Sequence, residues 1–315
     1  MKVKLALTPW HMGMVDGVSS LCEQAVLAES WGYESIFLPE HHFSREGAIP
    51  DPLMLLASVA AVTKQLKLGT TSYLLPLRHP ILAAEQVAVL DQISNGRVIL
   101  GIGRGYAASM FDVFDVDRHQ KRKIFAHNLD LMLRAWAGET LYSEADGSEI
   151  RVSPVPVQKP HPTIYVAAFG PLALKQAGTL GFPYLASPME TKERLLDNYT
   201  KHRAACIDAK TPVPKETPIM RSVFVSRDET EIKRVSERLD RESQQMVRRD
   251  LKNQPTVVAN DWSIVGTPSS LRDTVQEYAE TLGMTELVAT RLRIGGVSKE
   301  ALANSMELTA NALLR

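Results

Sequence analysis

The chain has 315 residues, a length at which an α/β barrel runs as one domain, and 44% of them are hydrophobic, enough for a large buried core. Its 36 basic and 36 acidic residues balance, so no net field is available to hold a nucleic acid or an anionic membrane surface. The two cysteines, Cys22 and Cys206, form neither a disulfide framework nor a metal spacing, and each sits in a helical pattern as a small packing residue.

The opening residues, MKVKLALTPW, contain a short apolar run stopped by Pro9, with no secretory pattern. No stretch approaches the ~20 apolar residues that a membrane-spanning helix needs. A soluble, cytoplasmic protein is expected. Short β-branched runs then alternate with longer amphipathic ones. Strands are predicted over 4–8, 35–38, 66–74, 98–101, 163–167, 183–186, 219–225 and 286–291. Helices are predicted over 17–30, 52–63, 80–93, 119–136, 171–179, 190–208, 228–249, 268–282 and 298–314. Strands separated by helices point to parallel pairing through crossovers, and the commonest closed form is the (β/α)8 TIM barrel. The expectation is a single barrel domain over 1–315 with insertions near 138–162 and 250–267. A doubly wound sheet is the alternative, but no GxGxxG follows the first strand.

The two insertions break the alternation differently. Residues 138–162 carry turn and proline signals and read as a β-hairpin followed by an extended approach to the next strand. Residues 250–262 mix Asn253, Pro255, Asn260 and Asp261 with Val257, Val258 and Trp262, a composition suited to a mobile lid or to a plain surface loop.

Chemistry in a barrel gathers at the C-terminal ends of the strands. The second predicted strand runs into Pro39-Glu40-His41-His42-Phe43, a carboxylate beside two imidazoles. Histidine is the side chain best suited to moving protons near neutral pH. Metal binding is the rival reading; adjacent residues rarely point at one ion, and no HExxH or second cluster completes a site. The third strand ends in Thr70-Thr71-Ser72-Tyr73, which brings small hydroxyl side chains toward the barrel mouth, and His79 before Pro80 sets the start of the next helix. The fourth ends in Gly101-Ile102-Gly103-Arg104-Gly105-Tyr106, where glycines allow close approach and a guanidinium suits an anion. The fifth ends in Ala167-Ala168-Phe169-Gly170-Pro171, with proline at the first helical position and free amides that suit a phosphate.

Taken together, LPEHHF (38–43), the run from Leu66 to Tyr106, YVAAFGPLALKQAGTLGFPYLAS (165–187) and VGTPSSLRDTVQEYAETLGMTELV (265–288) resemble the bacterial luciferase-like flavin-dependent monooxygenases. The resemblance implies a (β/α)8 barrel, association into a homodimer, and reduced FMN supplied by a separate flavin reductase for reaction with O2. His41 matches the histidine that supports proton transfers around the flavin hydroperoxide, with Glu40 holding the loop or orienting that imidazole. Thr71 and Ser72 match a pair often joined by a cis peptide that shapes the isoalloxazine pocket. Arg104 and the turn at Phe169 and Gly170 match the phosphate site. Arg122 matches a second phosphate ligand, with Arg118 competing for that alignment.

The departures are also informative. Gly103 stands where the luciferase catalytic subunit has a reactive cysteine, and Gly170 replaces a common serine. The chain also lacks the extra length of a true luciferase after residue 250, so light emission from an aldehyde is not expected. Trp10, Met14, Phe43, Tyr73 and Tyr106 suggest a small, largely apolar organic substrate. Deazaflavin-dependent oxidoreductases of the same barrel type are the nearest alternative, and a non-catalytic flavin-binding protein is the other.

Overall fold

The computed structural model describes residues 3–11, 17–43, 48–168, 170–250, 258–291 and 294–314, with 244–250 in backbone only. In chain order its first elements are β1 (Lys4–Leu7), α1 (Gly17–Trp31), β2 (Ser35–Leu38), α2 (Pro52–Val62), β3 (Lys67–Thr70), β4 (Tyr73–Leu74) and α3 (Pro80–Ser94). There follow β5 (Val98–Gly103), α4 (Ala108–Val113), α5 (Lys121–Trp136), β6 (Tyr142–Ser143), β7 (Glu149–Ile150) and β8 (Thr163–Ala167). The remainder comprises α6 (Pro171–Leu180), β9 (Tyr184–Leu185), α7 (Lys192–Ala209), β10 (Pro218–Val225) and α8 (Glu229–Asp250). Last come β11 (Ser263–Gly266), α9 (Pro268–Leu282), β12 (Glu286–Thr290) and α10 (Lys299–Leu314). No helix among the described residues is long and apolar enough to cross a membrane.

Many helices start where the sequence supplies a cap. Asp51 accepts from the Met54 amide at 3.1 Å ahead of Pro52, and Thr267 accepts from the Ser270 amide at 3.3 Å ahead of Pro268. The α3 helix stops at Asn95 in the left-handed region, φ 55°.

The chain divides into two compact units. The first comprises Met1–Met12, Glu23–Ile36 and Ala168–Arg315. Here β12 pairs in parallel with both β1 and β10, with Leu5 opposite Leu287 and Met220 opposite Val288. The second half of β10, from Ser222, pairs in parallel with β11. That strand was not predicted: 263–266 fell in the stretch read as an insertion. Of the expected lid, 251–257 lies outside the described residues. Of the part that is described, Val258 and Asn260 are exposed, whereas Ala259 and Trp262 are buried, and Trp262 Nε1 donates to Ser243 Oγ at 2.8 Å.

The second unit comprises Gly13–Cys22 and Phe37–Ala167 and contains the candidate site. Its strand β5 is buried along its whole length. It pairs in parallel with β3 (Leu68 opposite Val98), with β4 (Leu74 opposite Gly103) and with β8 (Leu100 opposite Ile164). The single strand predicted over 66–74 is therefore two, interrupted at Thr71–Ser72. Helices α2, α3 and α5 cover this unit's strands with apolar side chains such as Leu56, Val87, Phe125 and Met132. The 142–150 stretch forms an antiparallel pair, Tyr142 opposite Ile150, as a surface hairpin. Buried Asp91 fixes the segment that follows it, accepting from the Gln158 amide at 2.9 Å and from Gln158 Nε2 at 2.7 Å. Strands β3, β5 and β8 run in one direction, and Glu40, Ser72 and Arg104 each follow the C-terminal end of a strand.

Candidate active site

Glu40 is the buried centre of the arrangement, 6% exposed at the end of β2. One carboxylate oxygen, Oε1, pairs with His42 Nε2 at 2.7 Å and accepts from Arg78 Nη1 at 2.7 Å. The other, Oε2, accepts from the Leu74 amide at 3.0 Å. A carboxylate in a dry interior is tolerable only when its lone pairs are met in this way. The imidazole that Glu40 engages is therefore His42 rather than His41. The sequence reading of Glu40 as a loop-holding group describes its contacts; its pairing with His41 does not.

His41 is fastened through its main chain, exchanging two hydrogen bonds with Ile49 at 2.9 and 3.0 Å. Its ring is exposed at the strand end. Desolvation by the surrounding protein nonetheless lowers its pKa below the ordinary 6.5; Glu40 opposes that shift and His42 adds to it. A neutral imidazole at pH 7 can accept a proton. His42 stands edge-on to the Phe114 ring at 4.8 Å, with the exposed Phe43 ring 5.8 Å from each of them.

Thr71 and Ser72 are joined by a cis peptide bond, as their alignment implied. The Thr71 amide donates to Leu38 O at 2.8 Å, which ties this turn to β2. Thr70 Oγ1 is satisfied by Gly101 O at 2.8 Å, whereas Thr71 Oγ1 is buried without a hydrogen-bond partner. The Ser72 hydroxyl occupies the place that a Cβ on Gly103 would need, so any side chain at 103 would collide with it. This is a steric reason for glycine at position 103.

Beyond Gly103 the charges change sign. Arg104 has its pKa lowered by burial and then by Arg122, and its guanidinium stands 5.6 Å from the Phe125 ring centre. Lys121 is lowered by burial, then by Arg104 and Arg118, and its Nζ donates to Gly105 O at 3.2 Å. Besides burial, nearby cations lower both groups, an arrangement that suits an anion. Arg122 is the cation acting on Arg104, and Arg118 acts instead on Lys121.

Phe169 lies outside the described residues. Gly170 belongs to the first unit and caps α6 with φ 91°, a left-handed backbone that favours glycine. A Cβ added there would meet nothing within 4 Å. Among the apolar residues assigned to a substrate pocket, Tyr73 is fully buried under the Arg78 guanidinium, 4.0 Å from its ring centre, and Trp10 packs on Trp31. Met14 lies outside the described residues, and Phe43 and Tyr106 are exposed. Among the described residues no cluster of His, Cys, Asp and Glu could hold a metal ion.

Arg78, His42 and Lys121 were not assigned from the sequence. For Arg78 a signal existed: a lone charge inside the apolar run YLLPLRHPIL needs a buried partner, and Glu40 is that partner.

Residues 3–286 match the family described as luciferase-like monooxygenase. The alkanal monooxygenase alpha chain of the Kryptophanaron alfredi symbiont is 28% identical over 186 residues, covering 58% of this chain and 52% of that one. The chain spans about half the length of the curated relatives it matches. Monooxygenase RslO1 from Streptomyces bottropensis has a similar structure, with a TM-score of 0.79, 24% identity and 99% of each chain covered. The oxygenating constituent of 3,6-diketocamphane monooxygenase from Pseudomonas putida, solved with FMN, gives a TM-score of 0.81 at 20% identity, covering 99% of this chain and 98% of that one. These likenesses establish the fold class as the (β/α)8 barrel expected from the sequence.

Proposed function

Because the chain belongs to the luciferase-like monooxygenase family, we propose that it is an FMN-dependent monooxygenase acting on a small, largely apolar organic substrate. Reduced FMN would come from a separate flavin reductase, since no nicotinamide-binding fingerprint is present in the sequence. The observation that carries this reading is the pairing of two features on either side of β3: the Glu40–His41–His42 corner after β2, and the cations Arg104 after β5 with Lys121 and Arg122 at the start of α5.

The residues suit such a cofactor. Arg104, repelled by Arg122 and itself repelling Lys121, fits a phosphate, and Gly170 with the α6 amides offers a second, charge-free place for one. The partnerless Thr71 hydroxyl fits a polar ring edge. When bound, reduced FMN supplies the electrons that activate O2. The chain's own groups bind, orient and move protons. Arg104 and Arg122 hold the phosphate, Thr71 and Ser72 shape the ring pocket, and Glu40 fixes the end of β2 through His42. His41, neutral at pH 7, accepts or returns a proton at its free ring nitrogen.

Exposed apolar side chains on the neighbouring helices α2 (Met54, Val62) and α3 (Leu82, Val89, Ile93) support a homodimer. We also read the chain as one barrel domain working in the cytoplasm. A single-turnover experiment tests the function. Protein mixed anaerobically with photoreduced FMN and then with O2 should delay reappearance of oxidised-flavin absorbance relative to free FMN. Unaltered reoxidation would overturn the reading. Hydride transfer from a reduced deazaflavin, with no response to FMN, would replace it with the deazaflavin alternative.

A further inference from the structure

Resting on the flavin-dependent reading above, we propose that Arg78 is a positioning residue for the flavin pocket, acting through Glu40 on the turn that carries Thr71 and Ser72.

The guanidinium is held from several sides. Nη1 donates to Glu40 Oε1 at 2.7 Å and to Leu74 O at 3.3 Å, and the group lies 4.0 Å over the Tyr73 ring. Glu40 therefore grips one segment with both oxygens, since its Oε2 accepts from the Leu74 amide. On the far side, buried Asn128 donates from Nδ2 to Leu75 O at 2.9 Å and to Arg78 O at 3.0 Å. Upstream, the Thr71 amide reaches Leu38 O. Residues 71–78 are thus tied at one end to Leu38, the last residue of β2, and at the other to Glu40 just beyond it.

Arg78 also sets the charge balance. Its guanidinium is permanently cationic and meets Glu40 Oε1, the oxygen shared with His42. Without Arg78 that oxygen would keep His42 alone, and the Leu74 tie would lose its fixed acceptor. The effect on flavin would be indirect, through the shape of the turn.

Arg97 provides the comparison. It is as thoroughly engaged, by Thr63 Oγ1, Leu66 O, Ala60 O and Ser94 O, but it sits at the start of β5, away from the candidate site. A merely structural arginine behaves like Arg97.

The test is FMN binding, oxidised and photoreduced, read by flavin fluorescence quenching and the visible spectrum, beside thermal unfolding. Arg78→Met should weaken FMN about tenfold and alter the bound spectrum, and Arg78→Lys should recover most of it, because a charge-assisted contact is replaced by a weaker one. Arg97→Met should lower the melting temperature and leave affinity and spectrum unchanged. The Glu40→Gln/Arg78→Met pair leaves no unpaired charge, which keeps the test open if Arg78→Met fails to fold. If Arg78 acts through Glu40, that double variant binds FMN no more weakly than Glu40→Gln alone. Additive weakening, or wild-type affinity and spectrum in Arg78→Met, would overturn the proposal while leaving the flavin reading intact. Absence of FMN binding by the wild-type chain would overturn both.

Discussion

Ser72 and Gly103 share one space: the serine Oγ stands where a Cβ on residue 103 would have to be. Glycine at 103 is therefore a condition for the Thr71–Ser72 turn, which sits against the end of β5 beside Arg104. Gly103→Ala should push Ser72 aside or strain β5, at an overpacking cost of about 1–3 kcal/mol. Thermal unfolding should show a lower melting temperature, and FMN affinity should fall with it. Combining Gly103→Ala with Ser72→Gly should restore part of the stability, since the second change vacates the disputed volume. A Gly103→Ala protein as stable as wild type would contradict the shared-space account.

His41 should matter to chemistry more than to folding. Its ring is exposed, so His41→Ala removes little packing. Oxygenated product per FMN oxidised should fall ~10²-fold or more if the imidazole moves a proton. Desolvation lowers the His41 pKa, so the neutral form persists below the usual histidine range. The acid limb of product formation should accordingly fall below pH 6.5. Wild-type product yield in His41→Ala would remove the assignment.

Arg104 should discriminate between two flavins. Arg104→Ala is expected to weaken FMN by roughly 1.5–3 kcal/mol, the worth of a charge-assisted contact, and to leave riboflavin almost unchanged. Titrations of both ligands, followed by fluorescence, measure the difference. Equal weakening would place Arg104 against the ring or the fold instead of the phosphate.

Glu190, far along the chain, offers a stability test independent of flavin. It is 1% exposed, paired with the Tyr184 hydroxyl at 2.5 Å and with Asn198 Nδ2 at 2.6 Å. Burial raises its pKa despite these bonds, with the Tyr184 contact and the Ser187 amide opposing. A carboxyl whose folded pKa is raised contributes stability that is fully present below its unfolded pKa and is lost as pH rises through the folded value. Glu190→Gln abolishes that titration. The melting-temperature difference, variant minus wild type, should therefore become more positive between pH 4.5 and neutrality. A difference independent of pH would show that Glu190 does not titrate across the folding transition.

Much of the scaffold was legible because its signals are local. Alternating β-branched and amphipathic runs located most of the helices and strands, and the strand ends carrying Glu40, Ser72 and Arg104 were found from residue type and position alone. Where the local signal was weak, the reading slipped. Ser263–Gly266 is a strand because the second half of β10 offers it a parallel edge, which no feature of its four residues announces. Trp262, in a stretch that reads as a lid, is core because Ser243 on α8 supplies a partner for its indole nitrogen.

The sequence by itself determined the fold class, the family, and the order in which the chemically active residues arrive at the strand ends, since each depends on periodicity or on short contiguous motifs. Only the tertiary structure decided who meets whom. Glu40 pairs with His42, two positions away, and with Arg78, which arrives from the far side of β3 and β4. That choice rests on strand register and on the direction in which the Thr71–Ser72 turn sends the chain. A buried carboxylate accepts whichever donor the packing delivers at 2.7 Å, and packing is a property of the whole unit.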